Sequence, residues 1–209
     1  MKKILVYLFS ALFISLWFSP SYSQQAESKM NKVNSDNPSI LIVYLSRTQN
    51  TKAVADMIQQ SIGGDKVALE LVTPYPEHYQ TMVEQVRKEN QTNALPQLKT
   101  RINNISQYDI IFVGFPTWGM QLPPPMKRFF HQYDLLGKTI IPFNTNGGYG
   151  IGSSFSTVKS LCQGCRVLTG ISFKGGEEKY GKFLVIKDNY AQQIHREVNQ
   201  WLRGLGFSL

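Results

Sequence analysis

Three short segments carry side chains suited to holding a charged or planar ligand. The first, Ser46-Arg-Thr-Gln-Asn-Thr51, sets the hydroxyls of Ser46, Thr48 and Thr51 and the amides of Gln49 and Asn50 directly before a helical pattern. A helix start exposes unpaired backbone N–H groups and the positive end of the dipole, so these residues suit a phosphate. Ordinary capping is the alternative, yet Asn50 or Thr51 alone would supply a cap. The segment has no glycine run and no Lys-Ser/Thr ending, which excludes a nucleoside-triphosphate loop and a dinucleotide fingerprint. The second segment is Phe115-Pro-Thr-Trp-Gly-Met-Gln-Leu-Pro-Pro-Pro125. An indole in a loop is costly to expose and calls for a planar partner, or else folds back on its own core. Gly119 admits close backbone approach, and the prolines stiffen the exit. The third, Asn144-Thr-Asn-Gly-Gly-Tyr-Gly-Ile-Gly152, combines a yielding backbone with Tyr149 as a cover for a flat ligand; a flexible surface turn is the alternative.

Other reactive residue types form no constellation. His78, His131 and His195 are scattered and read as surface residues, no His, Cys and carboxylate spacing fits a metal, and no nucleophile–base order is legible, so neither catalytic nor metal-binding residues are expected. Cys162-Gln-Gly-Cys165 falls at the C-terminal end of a predicted helix, 153–161, where the dipole disfavours a thiolate. A structural pair or two inert thiols is favoured over a redox-active dithiol. Glu177, Glu178 and Lys179 read as a solvated loop.

The elements that must position these segments alternate along the chain. Ile40–Leu45 is a continuous apolar run, as expected of a strand covered on both faces, and 50–62 has helical spacing ended by Gly63-Gly64. Further strands are expected at 67–72, 110–115, 139–143 and 166–173, and further helices at 76–90, 126–133, 153–161 and 189–205. The last helix should bury Ile194, Val198, Trp201, Leu202 and Leu205. This order implies an α/β fold: a doubly wound, five-stranded parallel sheet in the order 2-1-3-4-5, flanked by helices. Ligands of such sheets bind beyond the carboxyl ends of the strands. The three unusual segments follow strands one, three and four.

The motifs Ser46-x-Thr48-x-Asn50-Thr51, Gly114-Phe-Pro-Thr-Trp-Gly119, Leu122-Pro-Pro-Pro125 and Asn146-Gly-Gly-x-Gly150 followed by Ser153-Ser resemble those of the flavodoxin family, over Ile40 to about Leu205. The resemblance implies FMN as cofactor. By it Ser46, Thr48, Gln49, Asn50 and Thr51 hold the phosphate, Pro116, Thr117, Trp118 and Gly119 line the isoalloxazine, and Asn146, Gly147, Gly148 and Tyr149 close its other side. Arg47 departs from the family's pattern and reads as pointing to solvent. It implies an electron-transfer protein serving redox protein partners; an FMN-dependent NAD(P)H:quinone-type oxidoreductase and a flavin-free binding domain are the alternatives. Carboxylates are scarce in the three loops, whereas Arg47, Lys127 and Arg128 are near in sequence, so the fully reduced flavin should be easier to reach than in acidic flavodoxins.

The N-terminus sets the address. Lys2 and Lys3 precede an apolar run, 4–18, and Ser21 and Ser23 provide small residues for cleavage, the layout of a signal peptide over 1–23. The run is short of the roughly 20 residues that span a bilayer, so no stable membrane span is expected after cleavage. Residues 24–38 read as a disordered leader, leaving the domain at 39–209 and a periplasmic or secreted protein. The 22 basic and 14 acidic side chains give a formal charge of +8, and loss of Lys2 and Lys3 lowers it to +6. No basic run with interleaved aromatics accompanies that charge, which argues against nucleic acid.

Overall fold

The computed structural model describes Val33 and residues 38–209. The expected signal peptide and most of the leader lie outside the described residues. Val33 packs against the domain, its N–H donating to the Leu205 carbonyl at 2.8 Å.

The chain alternates β1 (Ile40–Tyr44), α1 (Asn50–Ile62), β2 (Asp65–Ala68), α2 (Tyr79–Thr92), β3 (Ile110–Pro116), α3 (Pro124–Gln132), β4 (Thr139–Asn146), α4 (Ser154–Leu161), β5 (Arg166–Val167), β6 (Ile171–Lys174) and α5 (Asp188–Gly204). All pairings between these strands are parallel, in the order β2-β1-β3-β4-β5, with β6 also on β4. The sequence-derived order therefore holds. Side-chain alternation along β1 divides the core in two. Leu41 and Val43 face a layer containing Met126 and Phe129 of α3 and Val158 of α4. Ile40, Ile42 and Tyr44 face Val54 and Ile58 of α1 and Ile194, Val198 and Leu202 of α5. Trp201 is only half-buried: it sits edge-on against Phe112 and donates its indole N–H to the Thr169 carbonyl.

Two strands differ from expectation. The second pairs with β1 only as far as Ala68, after which the chain turns away and Leu71 forms a single antiparallel bridge with Leu98. The alternation Val67, Leu69, Leu71 belongs to two pairings that sequence alone reads as one strand. The fifth strand is divided into β5 and β6 around residues 168–170. The reason lies in its neighbour: Thr139 N bonds Asp109 O on the β3 side, and Leu168 N bonds Ile140 O on the other. By alternation Pro142, which has no N–H to give, faces the fifth strand where the ladder is interrupted. Among the described residues, no helix is long and apolar enough to cross a membrane.

Candidate functional site

Because the strands are parallel and in register, the segments after β1, β3, β4 and β6 leave the same edge of the sheet. There they enclose a cavity of about 680 Å³.

The loop after β1 delivers backbone donors. Gln49 adopts φ 65° and supplies no side-chain cap; Ser46 Oγ instead accepts the Lys52 N–H at 3.2 Å. The N–H groups of Thr48, Gln49, Asn50 and Thr51 have no acceptor among the described residues. Together with the dipole end of α1, they form an anion cradle. The side chains of this loop are divided in use. Thr48 lines the cavity. Thr51 is buried and shares a 2.8 Å hydroxyl–hydroxyl bond with Thr145. Asn50, also buried, donates to Thr48 Oγ1 (2.9 Å) and Phe183 O (2.7 Å), and accepts from Val185 N (3.0 Å) and Ile186 N (3.1 Å). Of the six residues of this segment, Arg47 and Thr48 line the cavity, whereas Ser46, Gln49, Asn50 and Thr51 are not in its lining.

The loop after β3 brings Pro116, Thr117, Trp118 and Gly119 to the cavity wall. Trp118 and Gln121 exchange backbone hydrogen bonds (3.2 and 3.1 Å) around Gly119 (φ 57°) and Met120 (φ 59°). Positive φ at both central residues requires the freedom of glycine at one of them. The turn is fixed from outside: Ser153 N donates to Met120 O at 2.9 Å, and Lys127 Nζ ties Gln121 Oε1 to Asn90 Oδ1. Burial holds the Lys127 ammonium below its ordinary pKa. Behind the half-buried indole, Tyr75 lies edge-on at 5.3 Å, its hydroxyl bonded to Glu89. Burial, then the Glu89 hydrogen bond and charge, raise that phenol far above its usual range.

The loop after β4 supplies Asn146, Gly147 and Tyr149 to the lining, with Gly148 just outside it. Asn146 Oδ1 accepts from Gly148 N (2.8 Å) and Gly150 N (3.1 Å), which curls the loop over its own side chain. Tyr149 is 74% exposed. Beneath both loops the fully buried Asn144 donates to Phe115 O (2.9 Å) and Thr117 Oγ1 (3.0 Å) and accepts from Ser172 Oγ (2.9 Å). A single carboxamide thus links three of the four strand ends.

Two expectations are corrected. Arg47 does not point to solvent: it lines the cavity, 20% exposed, and is paired with Glu178, 12% exposed. Glu177 and Glu178 are not a solvated loop: they form part of the wall after β6, with Glu177 bridged to Lys174 and, at longer range, to Lys182. The wall thus carries Arg47, Arg87 and Lys179 against Glu177 and Glu178, so carboxylates are not scarce around the cavity as the three loops alone suggested. A further wall, not expected from the sequence, is formed by Tyr79, Val83, Val86 and Arg87 of α2. Only Gly175-Gly176, another close-approach pair following a strand, hinted at the fourth loop. Helix α2 gave no such hint, since its polar pattern reads as a surface helix.

Elsewhere, Cys162 and Cys165 are joined as a disulfide, Cα–Cα 5.4 Å, near the amino end of the fifth strand and so at the opposite edge of the sheet. His195 contacts Ser61 across α5 and α1. Among the described residues no group of His, Cys, Asp and Glu is placed to hold a metal.

Comparison with known proteins agrees with this geometry. A candidate flavoprotein of Bacteroides eggerthii DSM 20697 matches with a TM-score of 0.66 at 24% identity, over 82% of this chain and 100% of its own. One from Bacteroides uniformis ATCC 8492 matches at 0.65 and 21%, over 80% and 99%. A flavoprotein of Lactobacillus acidophilus NCFM, in complex with FMN, matches at 0.57 and 20%, over 66% and 93%. At such identities these likenesses speak for the fold alone. Among curated proteins none matches significantly. The sequence pattern of the flavodoxin family itself matches residues 39–182. By that match, and by the strand order and loops it spans, the chain belongs to the flavodoxin family.

Proposed function

We propose that this protein binds FMN and transfers electrons between redox protein partners outside the cytoplasm. The observation that carries the reading is the pairing of four free N–H groups at the start of α1 with an aromatic-lined cavity at the same sheet edge. Both parts suit the group. The cradle offers neutral donors to a phosphate monoester, and Glu178, one of two carboxylates in the cavity wall, is already paired with Arg47. The cavity, about 680 Å³, falls in the usual range of about 300–1,000 Å³ for small-molecule sites. FMN when bound supplies a ring that accepts and returns electrons. The chain's own residues bind and orient it: Thr48 to Thr51 at the phosphate, Trp118 and Tyr149 at the ring, and Gly119 and Gly147 where backbone must approach closely.

The test is direct. Purified protein should carry, or take up, a yellow chromophore, and should quench the fluorescence of added FMN at stoichiometric ratio. Colourless protein that leaves FMN fluorescence unchanged refutes the reading and favours a flavin-free binding domain. Export rests on the 1–23 segment and is checked by cell fractionation.

A second reading, an NAD(P)H:quinone-type oxidoreductase, draws support from one observation: Tyr149 is largely exposed and the cavity extends beyond it to α2. Steady-state oxidation of NADH or NADPH with a quinone, dependent on bound FMN, would favour it over the electron carrier.

A further inference from the structure

We propose that Arg47 is a positioning residue that, with Glu178, latches the 175–186 loop onto the ligand-binding edge, and that the arginine is not itself a phosphate ligand. The proposal rests on the flavin-site reading for what the latch serves, though not for the latch itself.

Three of the five N–H groups of Arg47 donate hydrogen bonds, and the guanidinium is ion-paired besides. Nε donates to the Glu178 carboxylate at 2.8 Å, and Nη2 lies 2.8 Å from Glu178 Oε1. Nη1 donates to Pro76 O at 3.0 Å and Nη2 to Glu77 O at 2.6 Å. One planar fork thereby joins the loop after β1, the approach to α2 and the turn Glu178–Tyr180. Its charge is consumed by a carboxylate that is itself nearly buried, so little of it remains to attract an anion.

The same loop has a second anchor in Asn50, which holds Phe183, Val185 and Ile186. Between the anchors the chain has only local support. Tyr180, Gly181 and Lys182 donate to the carbonyls of Glu177 and Glu178 within one turn, and the Glu177 ion pairs reach exposed lysines at 3.3 and 4.0 Å. Gly176 shows how closely the loop is folded: a Cβ there would lie 1.9 Å from the Phe183 carbonyl oxygen. Removing Arg47 would strand Glu178 as an unpaired, largely buried charge, and the cheapest relief is for 177–182 to swing out to water while Gly175, bonded to Asn146 O at 2.7 Å, and the Asn50 end hold. That segment carries Glu177, Glu178, Lys179 and Tyr180 of the cavity wall.

The experiment compares Arg47→Gln and the isosteric Glu178→Gln with the unaltered protein, reading tryptic cleavage after Lys179 and Lys182 without FMN, and FMN affinity by fluorescence. Both variants should accelerate cleavage at those lysines by about tenfold or more, because proteolysis tracks the opened population. Both should weaken FMN binding to a similar extent. Circular dichroism verifies folding of each variant. A direct phosphate ligand would behave differently: Arg47→Gln alone would weaken binding, Glu178→Gln would leave or strengthen it, and cleavage would not change. That result overturns the proposal, as does unchanged cleavage in both variants. Accelerated cleavage in a protein that never binds FMN would uphold the latch while refuting the flavin reading.

Discussion

Asn50 and Val185 are 135 residues apart in the chain, and the Val185 N–H donates to the Asn50 carboxamide oxygen at 3.0 Å. Ile186 N shares the same oxygen at 3.1 Å, so a side chain read from sequence as part of a phosphate cradle spends its polar atoms on another loop. Its N–H remains for a ligand while its carboxamide builds the wall beside that ligand.

Asn50→Ala should therefore destabilise the fold as well as weaken ligand binding. It leaves the Val185 and Ile186 N–H groups without their acceptor, at about 1–3 kcal/mol for each group that stays buried. Asn50→Asp keeps the acceptor and should cost less. Urea unfolding midpoints check the order; equal stability of the Ala variant and the parent would dismiss the clamp.

Trp118→Ala should weaken FMN binding by about tenfold, since stacking contributes about 0.5–1.5 kcal/mol beyond the area lost. Trp118→Phe should retain most of it. Because Tyr75 backs the indole, a void at this position also loosens the turn, and flavin absorbance should shift in the Ala variant alone. An Ala variant with unchanged affinity and spectrum would return the indole to a purely structural role.

Neutral donors at the cradle and the Arg47–Glu178 pair predict a weak ionic-strength dependence. Raising salt from about 0.05 to 0.5 M should change the FMN dissociation constant by less than about threefold, since the donors proposed at the phosphate itself carry no charge of their own. A steep salt dependence would mean that a free cation contacts the phosphate.

Asp56 accepts from Lys52 and Lys66. Burial alone would raise its pKa, but the lysine hydrogen bonds and charges outweigh burial and hold the carboxyl below its ordinary value. A depressed folded-state pKa contributes stability above the unfolded value, near 3.9, that is lost as pH falls through the folded one. Asp56→Asn should thus cost about 0.5–1 kcal/mol at pH 7, in keeping with a pair that is substantially exposed, and nothing near pH 2. Thermal melts at both pH values provide the comparison.

Reducing the Cys162–Cys165 disulfide, or replacing both cysteines with serine, should lower stability by about 2 kcal/mol, the loop-entropy value for so short a ring. FMN binding should not change, because the bridge sits at the far edge of the sheet. Calorimetry with and without reductant, alongside an FMN titration, separates the two effects.

How far the chain could be read in advance varies with how local the cause is. Ile40–Tyr44 and Ile110–Pro116 were legible because burial on both faces demands unbroken apolar runs, and the helices because each buries a stripe at helical spacing. The division of the fifth strand was not, because its cause is Pro142 on the neighbouring strand. Trp118, Gly119, Asn146 and Tyr149 announced themselves as residue types uneconomical in ordinary loops. Arg47, Glu178 and the α2 wall did not, because a charged side chain looks the same in sequence whether it is solvated or paired across 131 positions.

The sequence by itself thus determined the element order, the parallel sheet and the three loops at its carboxyl edge, since each follows from local periodicity and the right-handed crossover. Tertiary structure alone decided which polar atoms stay free. Asn50 and Arg47 hold the loop after β6, and the backbone N–H groups of Thr48 to Thr51 are left over, because hydrogen-bond partners are allotted by what the fold brings within reach.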